Sequence, residues 1–194
     1  LEMASIHTKT SYMLTKSQYL HRTGLQRMRL LSYLDYFERY IFWQLGRYYF
    51  WRAMIRKAYF IFNNSQFNYI LDKYGPDLVF LPSMIHSEDY DFARAARKRK
   101  IKTLGMTLSW DNFHSKTLLM VQPDQLMVHT DQIVEQAKRF GDFRGQIYVT
   151  GIPQYDIYFK KQNLTSREKF FEKIGADSSK KLLLYAFSGK SGLN

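Results

Sequence analysis

The chain has 194 residues, of which 45% are hydrophobic and 24% charged, a balance that is typical of a globular protein and excludes an intrinsically disordered one. It contains no cysteine, which excludes a disulfide-stapled scaffold, a cysteine-ligated zinc site and a thiol nucleophile. Twenty-nine Lys and Arg against 17 Asp and Glu give a net charge of +12, and 17% of the residues are aromatic.

Neither a membrane-spanning helix nor a signal peptide is expected. The sequence has no run of about 18 consecutive apolar residues, and its first residues lack a short apolar segment followed by a small-residue cleavage site. We therefore expect a cytoplasmic protein with at most peripheral membrane contact. The chain begins with Leu1, and its last dozen residues resemble a strand running into a loop, so we expect it to be a fragment.

Residues 1–62 are predicted to form an aromatic and basic helical region. Residues 1–60 hold ten Lys or Arg and three acids, a net of +7, and thirteen aromatic residues lie between Tyr33 and Phe62. Apolar residues recur there at steps of three and four, which predicts a helix, or two helices that meet near Gly46.

Further aromatic residues fall on a second side of this predicted helix, among them Trp43 and Phe50. Three interpretations fit them: a helix buried on two sides, a surface for membrane or lipid-linked acceptor, or a nucleic-acid surface. Because aromatic and basic residues side by side are a weak nucleic-acid signal, we expect no nucleic-acid partner.

Residues 63–160 alternate short apolar runs with amphipathic segments. We predict strands at 77–82, 101–106, 125–129 and 147–150, with helices at about 64–74, 89–100 and 131–140. Asn64 or Ser65 would cap the first of these helices, and the apolar first strand would be buried. This alternation predicts an α/β fold with a doubly wound, Rossmann-like parallel sheet and flanking helices.

A second domain is predicted to begin near the end of the chain. Residues 161–180 form a linker and a helix that starts at Ser166, and residues 181–194 form the first strand and loop of a truncated domain. The loop contains Gly189-Lys190-Ser191, but a P-loop would need a glycine where Leu184 stands, so we reject that motif.

The remaining motif matches outside the strand ends are weak. Asp89-Tyr90-Asp91 matches the D-x-D by which many sugar transferases hold a metal, but it lies at a predicted helix start, where acids are favoured by the helix dipole. The histidines show no metal-ligand spacing. No metal site is therefore predicted.

The loop from Ser109 to Lys116 is the strongest candidate for a site. It follows a predicted strand and places a hydroxyl, an indole, a carboxylate, an amide, an imidazole and an ammonium within eight residues. In parallel sheets, ligands bind at the carboxyl ends of strands. Local turn bonds and an indole that plugs the domain are the structural alternative.

Two motifs carry a resemblance to a known family. Ser109-Trp110-Asp111-Asn112 followed by Lys116, and the stretch from Ile147 to Asp156, resemble bacterial GT-B glycosyltransferase-like proteins of surface carbohydrate biosynthesis. That group is related to CDP-glycerol glycerophosphotransferases and to UDP-sugar 2-epimerase-like folds. The likeness covers roughly residues 77–189 and leaves residues 1–60 out.

The resemblance implies two Rossmann-like domains that face each other across a cleft, with this chain supplying most of the acceptor-side domain. It implies a nucleotide-sugar or CDP-polyol donor as substrate and no cofactor. The residues that it points to for binding acceptor or donor are Ser109, Trp110, Asn112, Lys116, Gly151, Pro153 and Asp156, with Ser188, Gly189 and Lys190 at the donor phosphates.

The predicted function is transfer of a sugar or polyol phosphate to a saccharide or lipid-linked acceptor at the inner face of the cell membrane. Such a reaction needs a base for the acceptor hydroxyl, for which Asp111, His86 and His114 are the candidates. We expect the fragment alone to be inactive. The alternatives are a UDP-sugar 2-epimerase-like enzyme on the same scaffold and a non-catalytic basic domain that binds membrane or nucleic acid.

Overall fold

A computed structural model describes residues 5–23, 30–62, 66–160 and 164–185, and for residues 18–23 and 30–33 it describes the backbone alone. The chain divides into two compact units, Leu1–Ile152 and Pro153–Asn194. The boundary lies earlier than the one predicted after residue 160, and it runs through the stretch from Thr150 to Asp156.

The first unit contains six helices and four strands within its described residues. The helices are α1 (Lys9–Thr23), α2 (Leu30–Leu45), α3 (Tyr49–Phe62), α4 (Asn68–Tyr74), α5 (Ser87–Lys98) and α6 (Asp131–Arg139). The strands are β1 (Leu78–Leu81), β2 (Lys102–Met106), β3 (Gln125–Val128) and β4 (Gln146–Val149). A π-helical turn spans Asn112–Lys116, between β2 and β3.

The second unit is small in its described part. A 3₁₀ turn (Pro153–Tyr155) leads into α7 (Asp156–Phe159), and α8 (Arg167–Lys173) follows. The Ser166 hydroxyl accepts a hydrogen bond from the Lys169 backbone N–H at 3.3 Å, which confirms the predicted helix start. Residues 181–185 form no strand, so the strand predicted there is wrong in its described part, since no neighbouring strand pairs with this segment. Residues 186–194 lie outside the described residues.

The sheet is parallel throughout, with its strands in the order β1-β2-β3-β4. The predicted ends of all four strands lie within two residues of the observed ends. The α/β class with a parallel sheet is confirmed. The order of the described strands contains no reversal, so the doubly wound arrangement is not found among them. Each strand simply adds to the edge left by the one before it.

One face of the sheet carries the core. Leu81, Leu126 and Val128 are buried there in one cluster with residues of α5 and α6, including Ala93 and Ile133. The other face is more open.

The prediction that β1 is a buried strand holds for one face only. Leu78 and Phe80 are 52% and 49% exposed, whereas Leu81 is buried. β1 is an edge strand, and successive side chains point to opposite faces of a strand. Helix α5 contacts β1 and β2 and lies over the face that carries the core.

The N-terminal helices belong to the same unit as the sheet. Ile6 and Ile55 share a core cluster with Leu126. The predicted break near Gly46 is confirmed, because α2 ends at Leu45 and α3 begins at Tyr49. A Cβ at Gly46 would lie 2.0 Å from the Ser5 carbonyl oxygen, so only glycine allows this close approach.

Two helix starts differ from the sequence analysis. Helix α1 lies within the helical region predicted for residues 1–62, but its own start and end were not predicted. Helix α4 begins at Asn68 after Phe67, whereas the predicted caps Asn64 and Ser65 lie outside the described residues. It closes on Gly75 in the left-handed conformation, which is common at the C-terminal end of a helix.

Candidate functional site

The loops that follow the four strands gather polar side chains at the carboxyl edge of the sheet. Because the strands are parallel, these loops leave the sheet on the same side. The loop after β1 runs from Pro82 to His86, and the longer connection after β2 begins at Thr107 and contains the π-helical turn that ends at Lys116. His129 follows β3, and Thr150 follows β4.

Asn112 joins the first two of these loops. Its side chain is fully buried, its Nδ2 donates to the Ser83 carbonyl oxygen at 3.1 Å, and its Oδ1 accepts from the Ser109 backbone N–H at 3.0 Å. A side chain in this position is withdrawn from the surface. Asn112 therefore positions the loops, and it is not the substrate contact that the resemblance implied.

The Asp89 side chain fixes the loop after β1 through hydrogen bonds. Its buried carboxylate accepts from the Met84 backbone N–H at 2.8 Å and also from the Ser83 backbone and hydroxyl. Asp91 instead pairs with Arg94 at 2.8 Å. The two carboxylates thus serve separate structural contacts, which agrees with their interpretation as the acidic start of a helix.

Asp111 and Lys116 form an ion pair across the π-helical turn. Lys116 Nζ lies 2.9 Å from Asp111 Oδ1, and their side chains are 39% and 20% exposed. A π-helix brings residues five positions apart over one another, and such turns occur frequently at functional sites. The Thr117 N–H to Asn112 carbonyl bond at 2.9 Å is the backbone bond of this spacing. The pair is therefore built by the turn itself.

The Asp111 carboxyl is held in its ionised form. Burial acts to raise its pKa, but the Ser109 hydroxyl and the Lys116 ammonium outweigh burial and leave the pKa below its usual range. The Ser115 hydroxyl also lies 3.4 Å from Asp111 Oδ2. The structure thus brings Ser109, Asp111 and Lys116 together, as the sequence predicted.

Trp110 stands out from the same loop toward solvent. Its side chain is 72% exposed, so it does not plug the domain as the structural alternative required. An exposed indole beside a half-buried carboxylate offers an apolar face on which a sugar ring or a nucleotide base stacks. Trp110 is therefore available as a binding surface.

His129 and Thr107 are site residues that the sequence analysis missed. They follow neighbouring strands, they are 7% and 0% exposed, and the Thr107 N–H donates to the Met127 carbonyl oxygen at 3.1 Å. Burial lowers the pKa of the His129 imidazole, while its hydrogen bond to the Thr107 backbone acts in the opposite direction. The Thr107 hydroxyl is buried without a hydrogen-bond partner in the described part of the chain. The signal in the sequence was the position of His129 at the carboxyl end of a predicted strand.

The two predicted catalytic histidines, His86 and His114, lie apart from the Asp111 ion pair. His86 is exposed and directly precedes α5. The His114 ring packs against Phe140 at 5.1 Å and lines a cavity of about 290 Å³ with residues of α6, including Gln136 and Arg139. Its Nδ1 is buried with no hydrogen-bond partner among the described residues. Neither imidazole is among the groups bonded to Asp111.

The predicted site residues Gly151, Pro153 and Asp156 fall in different units. Gly151 has a φ of +74°, which favours glycine, and lies in the first unit. Pro153 and Asp156 are exposed and lie in the second unit. Ser188, Gly189 and Lys190 lie outside the described residues.

The described part of the chain offers neither a metal site nor a membrane-spanning helix. Within residues 5–23, 30–62, 66–160 and 164–185, no group of three or more His, Asp or Glu side chains is arranged to hold a metal ion. None of the helices in that part of the chain is long and apolar enough to cross a bilayer. Comparison with models of protein families, with curated proteins and with solved structures found no match.

Proposed function

We propose that this chain is the acceptor-side part of a GT-B-type transferase of cell-surface polysaccharide biosynthesis. It would move a sugar or a polyol phosphate from a nucleotide-activated donor to a saccharide or lipid-linked acceptor. The observation that carries the proposal is the ionised Asp111, held by Ser109 and Lys116 at the carboxyl edge of a parallel sheet. The resemblance of the Ser109–Asn112 and Ile147–Asp156 motifs supports it.

The proposed step is a displacement at the donor. The acceptor hydroxyl oxygen forms a bond to the anomeric carbon of a sugar donor, or to the phosphorus of a CDP-polyol donor. The bond from that atom to the nucleotide leaving group breaks, and the electron pair leaves with the nucleotide. The hydroxyl proton passes to the Asp111 carboxylate, whose side chain is 20% exposed. No cofactor takes part in this step.

Other groups of the edge support the reaction in the proposal. The exposed Trp110 indole stacks on a ring of acceptor or donor. The Lys116 ammonium keeps Asp111 ionised and places positive charge beside the reacting atoms. Lys190, beyond the described residues, would meet the donor phosphates.

The N-terminal helices supply the membrane side of the proposal. Residues 1–60 carry +7 of the net charge, and several aromatic residues of α2 and α3 are exposed, including Phe37 and Phe50. We propose that the protein works as a peripheral enzyme at the inner face of the cell membrane and has no nucleic-acid partner.

Release of nucleotide in the full-length protein tests the proposal. The protein is incubated with CDP-glycerol and with UDP-sugars, in the presence and absence of a lipid-linked acceptor. Nucleotide release that requires the acceptor supports transfer. Conversion of a UDP-sugar to its 2-epimer without an acceptor would show an epimerase. No turnover of any donor, together with binding of lipid or nucleic acid, would show a non-catalytic domain.

A further inference from the structure

A cleft of about 410 Å³ opens on the first unit, lined by helix α3 and by the segments that lead into β3 and β4. Tyr49, Arg56, Lys57 and Phe60 contribute from α3, and Arg97 lies at the end of α5. The segments that lead into β3 and β4 contribute Met120, Val121, Gln122, Asp142 and Arg144. These segments precede strands, so the cleft lies at the amino edge of the sheet, away from the Asp111 loop.

The negative charge of Asp142, the carboxylate that lines this cleft, is balanced by two arginines. Arg52 donates to both oxygens of Asp142, at 2.6 and 2.7 Å, and Arg56 donates to Oδ2 at 2.8 Å. Arg56 also donates to the Leu118 carbonyl oxygen at 2.6 Å. Two guanidinium groups thus face one buried carboxylate, and they leave a positive charge at the base of the cleft.

Three further cations border the cleft without an acidic partner among the described residues. Lys57, Arg97 and Arg144 are exposed, and none of them lies within ion-pair distance of a described carboxylate. The Arg97 guanidinium lies 5.9 Å from the centre of the Phe60 ring, and that of Arg144 lies 5.6 Å from the centre of the Tyr49 ring. The cleft therefore combines unpaired positive charge with aromatic walls.

Helix α3 presents an apolar stripe beside these cations. Phe50, Met54 and Ile61 are 65%, 47% and 57% exposed. Together with Lys57 they follow one another at steps of four, three and four residues, which places them on one side of a helix. The opposite side of α3 is held in the protein by the buried Ile55. Apolar residues on the outer face with basic residues beside them are typical of a helix that lies in a membrane interface.

We propose that this cleft binds the phosphoryl headgroup of an anionic phospholipid, while Phe50, Met54 and Ile61 enter the boundary between headgroups and acyl chains. Charge complementarity supports this occupant, because the cleft offers a positive surplus to a lipid phosphate. The apolar stripe favours a lipid over a nucleic acid, whose backbone offers nothing apolar to Met54 and Ile61. The inference rests on the membrane side of the proposed function and is independent of the transfer chemistry.

Vesicle co-sedimentation tests this site without donor or acceptor. The protein is mixed with vesicles of phosphatidylcholine alone and with vesicles that also contain phosphatidylglycerol. The double variant Arg97→Ala/Arg144→Ala removes exposed side chains with no ion pair among the described residues, so it should keep the fold. Lys102→Ala/Lys138→Ala removes two exposed cations outside the cleft and serves as the charge-matched control.

We expect the protein to bind the phosphatidylglycerol vesicles selectively. The Arg97/Arg144 variant should bind them roughly thirtyfold more weakly, which is the expected combined contribution of two basic residues near an anionic surface. The control variant should lose distinctly less affinity for these vesicles. Phe50→Ser/Ile61→Ser should also weaken vesicle binding. Equal losses in the cleft variant and its control, or no binding to either vesicle, would overturn the proposal. A different result would also overturn it: tight, salt-dependent binding of an oligonucleotide, equal in the wild type and the Phe50/Ile61 variant, with no binding to vesicles. Vesicle binding does not depend on transfer activity in the donor assay. The lipid site and the transferase function can therefore be disproved separately.

Discussion

Lys116 Nζ lies 2.9 Å from Asp111 Oδ1; Lys116 ends the π-helical turn, and Asp111, five positions earlier, directly precedes that turn. On an ordinary α-helix, side chains meet at spacings of three and four. The π-helical backbone thus decides which ammonium reaches the carboxylate. This relationship is the centre of the proposed site, and it can be tested from either partner.

Replacing Lys116 should change the titration of Asp111. In Lys116→Met the ammonium is lost while burial remains, so the pKa of the Asp111 carboxyl should rise. The measurement is a carboxyl-carbon NMR titration of the folded protein. Lys102→Met, an exposed lysine at the start of β2, is the control and should leave the Asp111 titration unchanged. An equal Asp111 pKa in the wild type and in Lys116→Met would show that the ion pair does not set it.

Asp142 should be a major contributor to stability. Asp142→Asn leaves two guanidinium groups without their shared carboxylate, and loss of one partner of a buried ion pair costs about 3 to 5 kcal/mol. Urea unfolding at neutral pH measures this. Asp35→Asn is the matched control, because its pair with Arg39 is exposed and should contribute no more than about 0.5 kcal/mol. Similar losses in the two variants would contradict the account.

The contribution of Asp142 should also depend on pH. Burial acts to raise the pKa of its carboxyl, but Arg52 and Arg56 lower it below its usual range. A carboxyl with a lowered pKa in the folded state stabilises fully above its unfolded pKa of about 4, and this stabilisation is lost as the pH falls through the folded pKa. The difference in unfolding free energy between the wild type and Asp142→Asn should therefore shrink below about pH 4. A constant difference down to pH 2 would exclude this linkage.

His129 should make the protein less stable in mild acid. Burial lowers the pKa of its imidazole, so the unfolded chain takes up the proton first as the pH falls. The stability that the neutral ring confers is complete above its unfolded pKa of about 6.5 and declines as the pH falls toward the folded pKa. In His129→Gln this decline between about pH 7 and 5 should be smaller. His86→Gln, which changes an exposed imidazole, should behave as the wild type; identical pH profiles for all three proteins would contradict the prediction.

The fold was largely predictable because its signals are local. Short apolar runs separated by amphipathic segments predicted every described strand, and Gly46 marked the break between two helices. The burial of β1 could not be predicted, because the exposure of Leu78 and Phe80 depends on which face α5 covers. The same holds for residues 181–185, where an apolar composition predicted a strand but pairing requires a neighbour.

The candidate site was predictable in part. Ser109, Asp111 and Lys116 could be grouped from sequence, since one loop after one strand carries all three. The contacts of Asn112 and His129 could not be predicted, because they join separate loops. Asn112 reaches Ser83, and His129 meets Thr107, which follows the neighbouring strand. His114 was adjacent in sequence to the site, yet its ring packs against Phe140. Spacing along the chain carries no information about such pairings.

The most direct test of the proposed function is acceptor-dependent nucleotide release by Asp111→Asn in the full-length protein. Asparagine keeps the shape of the side chain but cannot take the acceptor proton, so turnover should fall about 10²- to 10⁴-fold while urea unfolding stays close to that of the wild type. Asp77→Asn, an exposed carboxyl just before β1, is the control and should retain full turnover. Turnover by Asp111→Asn within a few-fold of the wild type would contradict the account.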